Sequence, residues 1–172
     1  MSQLQVNLRP SRDDDEPFIK ALFWELETIR LGLEHATTEA REMFVNMQYS
    51  ARQQHFQNMD VDQKECIIEV NGQPSGRCLV IQSNKEIRIA DLELTRQFQG
   101  HGISGMIVAS MQQESRTSDR PLRVVLAKDY PDLRAFYNYG FYQIDDLGHH
   151  LYLEWTSRGP TGGRIHISPA GV

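Results

Sequence analysis

Gln97-Phe98-Gln99-Gly100-His101-Gly102-Ile103-Ser104-Gly105 is the stretch on which the reading of this chain turns. An apolar run closing in Leu92-Glu93-Leu94 precedes it. Ile103, Met106, Ile107, Ala109 and Met111 follow at helical spacing. The stretch therefore joins a strand to a helix, where unpaired backbone amides and the positive end of the helix dipole converge. Such a place suits an anion. Gly100 and Gly102 remove the β-carbons that would keep a diphosphate from the backbone, and Ser104 adds a hydroxyl donor. A tight turn or a helix cap uses the same residues, so the surroundings decide between the two readings.

Downstream, Pro121 introduces the run Leu122 to Ala127, and strand, glycine loop, helix and strand make a βαβ unit. Asp132 to Tyr139 reads as a short helix stopped by Gly140, followed by strand-like runs at Phe141 to Ile144 and His149 to Trp155. Upstream, Glu86 to Leu94 is a strand whose apolar positions change parity across Ala90-Asp91, which predicts a bulge. Before it, Cys66 to Val70 and Arg77 to Ile81 flank Asn71-Gly72, a pair suited to a hairpin turn. Leu4, Val6 and Leu8 alternate in a first strand ending at Pro10. Ser11 and Asp13 to Asp15 then offer caps for a helix carrying Phe18, Leu22, Trp24, Leu26, Ile29 and Leu33 and ending near Gly32. Thr37 or Thr38 caps a second helix in which Met43, Met47, Tyr49, Ala51 and Phe56 follow at loosely helical intervals, and its methionines are predicted to pack, or to line a pliable pocket. The expected fold is α/β (α+β), with a mixed sheet of six or seven strands, mostly antiparallel, and helices on both faces.

A chain of 172 residues, 40% hydrophobic and 24% charged, is expected to form one compact domain over residues 1–156, with 157–172 as a tail. Arg164 to Ile167 in that tail is a candidate oligomer contact, and a homodimer is one expectation. A net charge of −5 with scattered acids lacks the basic footprint of a nucleic-acid binder. The first ten residues do not resemble a secretion signal. No run approaches the roughly 18 apolar residues of a membrane span, so a cytosolic protein is expected. Cys66 and Cys78 sit in apolar runs without the spacing of a metal or redox pair. His149 and His150 have no third ligand at recognisable spacing, and no metal is expected.

Gly100, Gly102 and Gly105 satisfy G-x-G-x-x-G, but they lie behind an apparent antiparallel hairpin, where a dinucleotide-binding fold would start with a parallel sheet. The Gly-Lys-Ser or Gly-Lys-Thr of a nucleotide-hydrolysing loop is missing.

Gln97-x-x-Gly100-x-Gly102, after a strand and opening a helix, resembles the Q/R-x-x-G-x-G/A pyrophosphate loop of the GCN5-related N-acetyltransferase (GNAT) family. The likeness covers about residues 4–155 and includes the hairpin and the late Tyr137-Asn138-Tyr139-Gly140-Phe141. It implies acetyl-CoA as co-substrate and an amine as acceptor. The cofactor would be held by Gln99, Gly100, His101, Gly102, Ile103 and Ser104 at the pyrophosphate and by Leu92, Glu93 and Leu94 at the pantetheine arm. The Leu94 amide would polarise the thioester carbonyl, and Glu93 would accept the amine proton directly or through water. The family's general acid is a Tyr five residues before the Phe of a Gly-Phe pair, which here is Phe136. Phe136 has no hydroxyl, so the adjacent Tyr137 is the candidate acid and Tyr139 the second. Asp129 likewise stands where relatives often have Asn. A CoA-binding regulatory module without turnover is the alternative that Phe136 suggests. A third reading gives the fold to assembly, through Trp155 and the tail.

Overall fold

The fold is that of a computed structural model, which describes residues 4–59 and 61–160. The elements run β1 (Val6–Pro10), α1 (Glu16–Arg30), α2 (Thr38–Gln57), β2 (Asp62–Val70), β3 (Gln73–Gln82), β4 (Ile87–Leu94), α3 (Ile103–Ser118), β5 (Leu122–Ala127), α4 (Leu133–Asn138), β6 (Tyr142–Asp146) and β7 (His150–Trp155). Among the described residues these seven strands hydrogen-bond in the order β1-β2-β3-β4-β5-β7-β6. The β1–β2, β5–β7 and β6–β7 pairs are antiparallel and β4–β5 is parallel, so the sheet is mixed as expected. The βαβ unit is β4-α3-β5. Its ladder holds Ile87↔Leu122, Arg88↔Arg123 and Ile89↔Val124, after which β4 continues to Leu94.

The chain forms two compact units. The first takes the residues up to Leu79 and returns for Asp91–Ile103; the second takes Val80–Ala90 and the residues from Ser104 on. Strand β4 passes from one to the other at Ala90-Asp91, where the buried positions change from Ile87 and Ile89 to Leu94.

In the first unit the β2–β3 hairpin turns on Asn71 (φ 52°) and Gly72 (φ 79°), the left-handed pair of a type I′ turn. The Asn71 Oδ1 also accepts the amide of Gln5 at 3.0 Å. Between β1 and α1, Asp15 receives Arg9 through two bonds of 2.7 Å and the Arg12 amide at 2.8 Å, while Arg9 reaches Glu69 at 2.6 Å. Of the three aspartates offered as caps, Asp15 is therefore the one that fixes the turn. Thr37 caps α2, its hydroxyl accepting the Ala40 amide at 3.3 Å.

The face of α2 differs from the expectation. Val45 and Tyr49, one turn apart, are buried against Phe23, with the Phe23 and Tyr49 rings edge-on at 5.2 Å. Met43 and Met47 are 63% and 55% exposed, so neither is packed in the core. The helix is rotated so that Arg52, three residues beyond Tyr49, joins the inner face, and a face that includes an arginine is not marked by apolar spacing.

In the second unit α3 buries Ile107, Val108 and Met111, β5 buries Leu122, Val124 and Leu126, and β7 buries Leu151, Leu153 and Trp155. Val125 is 39% exposed, so the apolar run of β5 has one covered face rather than two. Trp155 is itself core: Arg116 lies 5.5 Å from its ring centroid and Gly140 backs onto its indole nitrogen. It is not presented for a subunit contact. The Arg164 to Ile167 segment lies outside the described residues. No helix among the described residues is long and apolar enough to cross a membrane, and no group of His, Cys, Asp and Glu is arranged to hold a metal.

Candidate functional site

The site begins where β4 ends. The Thr95 amide donates to the Ser75 carbonyl at 3.0 Å, so β3 still holds the chain one residue past the strand. Gly76 allows this approach: a β-carbon there would lie 2.3 Å from the Glu93 carbonyl oxygen and 2.7 Å from Leu94 Cδ2. Arg96–Phe98 then makes one turn of 3₁₀ helix, and the Gln99 side chain donates back to the Leu94 carbonyl at 2.9 Å. That bond closes the loop on the strand it left.

Gly100 (φ 77°) and Gly102 (φ 75°) are both left-handed, the conformation that glycine adopts without strain. A β-carbon on either would meet nothing within 4 Å, so the space over the loop is open. Among the described residues, the amides of Gly100, His101 and Gly102 donate to no carbonyl. The first-turn amides of α3 follow directly, and a 16-residue helix directs its dipole at the same place. His101 is exposed and Ser104 half-buried, whereas the Ile103 side chain is 1% exposed and offers the site only its amide. Just before the loop, Thr95 Oγ1 is buried with no hydrogen-bond partner among the described residues. Exposed amides, open space and an orphaned hydroxyl together fit a phosphate-bearing ligand.

Glu93 lies in an ion network within the first unit. Arg52 of α2 donates to Glu93 Oε1 at 3.2 Å and Oε2 at 2.9 Å, and also to Asp91 Oδ2. Arg77 of β3 reaches Asp91 at 3.1 Å and Glu93 at 3.6 Å, and pairs with Glu65 of β2. Burial pushes the Glu93 carboxyl above the usual carboxylate range, and the Asp91 charge adds to this; the two guanidiniums oppose it. Beside this network α1, α2, β2 and β3 line an open cavity of about 330 Å³, to which Glu16, Tyr49, Arg52, Glu65 and Arg77 contribute. Tyr49 donates to Glu16 at 2.7 Å, and burial pushes its phenol up to about 12.

The aromatic candidates belong to the second unit. Phe136 is 5% exposed with the rings of Tyr130, Tyr139 and Phe141 edge-on at 6.4, 5.9 and 5.4 Å, so it is a core residue. Tyr139 lies over Gly105, its hydroxyl 2.9 Å from where a β-carbon would stand, which accounts for the third glycine of the stretch. Tyr137 is half-buried, and burial raises its phenol. Asp129 lies in the turn after β5, and His149 and His150 are exposed.

Arg52, Glu65, Arg77, Gly76 and Thr95 were not among the residues expected at the site. Arg77 carried a signal, a charge inside the apolar run of a strand. The others depend on neighbours distant in sequence.

No family model matches this chain, and no curated protein matches it. Solved structures do. The PaiA N-acetyltransferase of Thermoplasma acidophilum, in complex with coenzyme A, superposes with a TM-score of 0.66 at 15% identity, over 88% of this chain and 99% of that one. A GNAT family acetyltransferase of Elizabethkingia anophelis with acetyl-CoA bound gives 0.56 at 12% identity, over 88% and 97%. The chain has the GNAT fold. Campylobacter jejuni N-acetyltransferase PseH, in complex with acetyl coenzyme A, gives 0.58 at 13% identity, over 89% and 99%. At these identities the likeness is one of architecture. The GNAT fold accounts for the strand order, the parallel β4–β5 pair and the position of the glycine loop between β4 and α3.

Proposed function

We propose that the chain is an acetyl-CoA-dependent N-acetyltransferase acting on a primary amine of a small molecule, amino acid or peptide, with residues 1–156 as the working domain. The observation that carries the reading is the loop itself: two left-handed glycines with free amides under open space, at the start of a long helix. The amides of Gly100, His101, Gly102, Ile103 and Ser104 would hold the pyrophosphate, with Gln99 fixing the loop to Leu94. Acetyl-CoA supplies there an acetyl group activated as a thioester.

Leu92, Glu93 and Leu94 would hold the pantetheine arm by their backbone. Since the Thr95 amide is directed at β3, strand alternation turns the Leu94 amide to the other side, where it can polarise a carbonyl. Amine attack forms the C–N bond as the C–S bond breaks. Glu93 takes the proton that nitrogen loses, and Tyr137 gives one to sulfur. A phenol carries its proton at neutral pH, and burial raises that of Tyr137 further, so the proton is there to give.

Thiol release from acetyl-CoA with a panel of amines tests this. Replacing Gly100 and Gly102 by valine is expected to weaken CoA binding in calorimetry at least about tenfold, through φ strain and loss of access. Tyr137→Phe is expected to lower kcat by roughly 10²-fold while CoA affinity holds. Tight CoA binding with no amine acetylated would instead establish a CoA-binding regulatory module, the reading that Phe136 favours. The reading includes a cytosolic location, with which the buried thiol of Cys78 is consistent. It also includes a homodimer, to be checked by light scattering with and without residues 157–172.

A further inference from the structure

We propose that Arg52 is the positioning residue of this site: from α2 it clamps the Glu93 carboxylate beside Asp91 on β4 and keeps it ionised to receive the amine proton. The proposal rests on the acetyltransferase reading for the reaction, and on geometry alone for the clamp.

Asp91 and Glu93 are two residues apart on a strand, so their carboxylates share one face and repel. Among the described residues, the charged groups around Glu93 come from five elements. Its own strand supplies Asp91, α2 supplies Arg52, β3 supplies Arg77, and β2 supplies Glu65 behind Arg77. From α1 come the Phe23 ring, 4.9 Å from the Arg52 guanidinium, and Glu16, which accepts the Tyr49 hydroxyl and lines the same cavity as Arg52, Glu65 and Arg77. Three carboxylates thus pair with two guanidiniums in a half-buried place, with the Glu16 carboxylate beside them. The cluster can shed its surplus negative charge by protonating a carboxylate.

Among the groups that pair with Glu93, Arg52 is the one that most directly opposes its protonation. One of its nitrogens binds both Asp91 and Glu93, a second binds Glu93 again, and the guanidinium carbon lies 4.9 Å from the centroid of the Phe23 ring. Arg77 cannot substitute. It stands 3.6 Å from Glu93 and is taken up by Glu65 and Asp91. A base held this way has a defined direction, and its charge depends on one residue outside the cofactor loop.

The test uses the full chain labelled with ¹³C at the glutamate carboxyls, with the Glu93 signal identified by its loss in Glu93→Gln. Arg52→Gln is expected to move the Glu93 titration upward by at least about 1 pH unit, and Asp91→Asn to move it downward. Arg52→Lys keeps the charge without the fork and is expected to restore most of the wild-type midpoint. The acid limb of kcat/KM should move with each midpoint, because the rate needs the ionised carboxylate. A simple loss of stability would lower the melting temperature without moving either quantity. Where Arg52→Gln does not fold, Asp91→Asn carries the test with the opposite sign. An unchanged Glu93 titration in both variants would overturn the clamp. A titration that moves while the acid limb stays would overturn the role in the reaction. A titration that moves in a protein acetylating no amine would support the clamp and refute the enzyme reading.

Discussion

A β-carbon at position 76 would collide with the backbone of the neighbouring strand. The Glu93 oxygen at 2.3 Å cannot swing aside as a flexible side chain would, so β4 must move or the ladder must open. Gly76→Ala is expected to cost about 1–3 kcal/mol, the range for overpacking a tight site, measured by urea denaturation. Because the displaced atoms belong to Glu93 and Leu94, CoA affinity should fall in the same variant. Wild-type stability in Gly76→Ala would show that β4 can be moved without penalty. Gly100 and Gly102 differ in kind: their requirement is a left-handed backbone, which the local pattern Gly-x-Gly before a helix already announces. Phe136 and Tyr137 divide in the same way. The missing hydroxyl of Phe136 is visible in the sequence, but its enclosure by three rings is a matter of packing.

At the scale of the element, the join between β1 and α1 rests on Asp15. Bonds from Arg9 outweigh the burial that opposes them and lower the Asp15 carboxyl from 3.8 to about 2. A depressed carboxyl contributes stability that is fully present above pH 3.8 and is lost as the pH falls toward 2. Asp15→Asn should therefore lose about 2 kcal/mol at neutral pH, from charge-assisted bonds removed in a poorly solvated place. Its melting temperature should also fall less steeply than that of the wild type between pH 4 and 2. Parallel curves for the two proteins would show that Asp15 is not coupled to folding. The start of α1 was legible from Ser11 and the acidic run, but which of three aspartates would meet Arg9 was not. The same holds for α2, whose extent follows from Thr37 and helical composition. Its rotation is set by Phe23 on α1 and by the carboxylates of β4, neither of which is near it in sequence.

At the scale of the molecule, the interior excludes solvent from both thiols. Cys66 and Cys78 are 3% and 0% exposed, and burial pushes the Cys78 thiol up to about 12. Neither is expected to react with a thiol reagent at pH 8 until the protein unfolds, so the modification rate should track loss of the circular dichroism signal in denaturant. Reaction at the rate of a free thiol in native buffer would mean that β2 and β3 open locally. By itself the sequence determined the order of strands and helices, the hairpin turn and the glycine loop between β4 and α3. Each is written in side-chain period or in φ preference, which are properties of neighbours along the chain. The tertiary structure alone decided that Arg52 and Arg77 converge on Asp91 and Glu93, that Gly76 admits β4, and that Trp155 belongs to the core. These follow from burial, charge balance and close approach, and such terms exist only once segments distant in sequence share the same space.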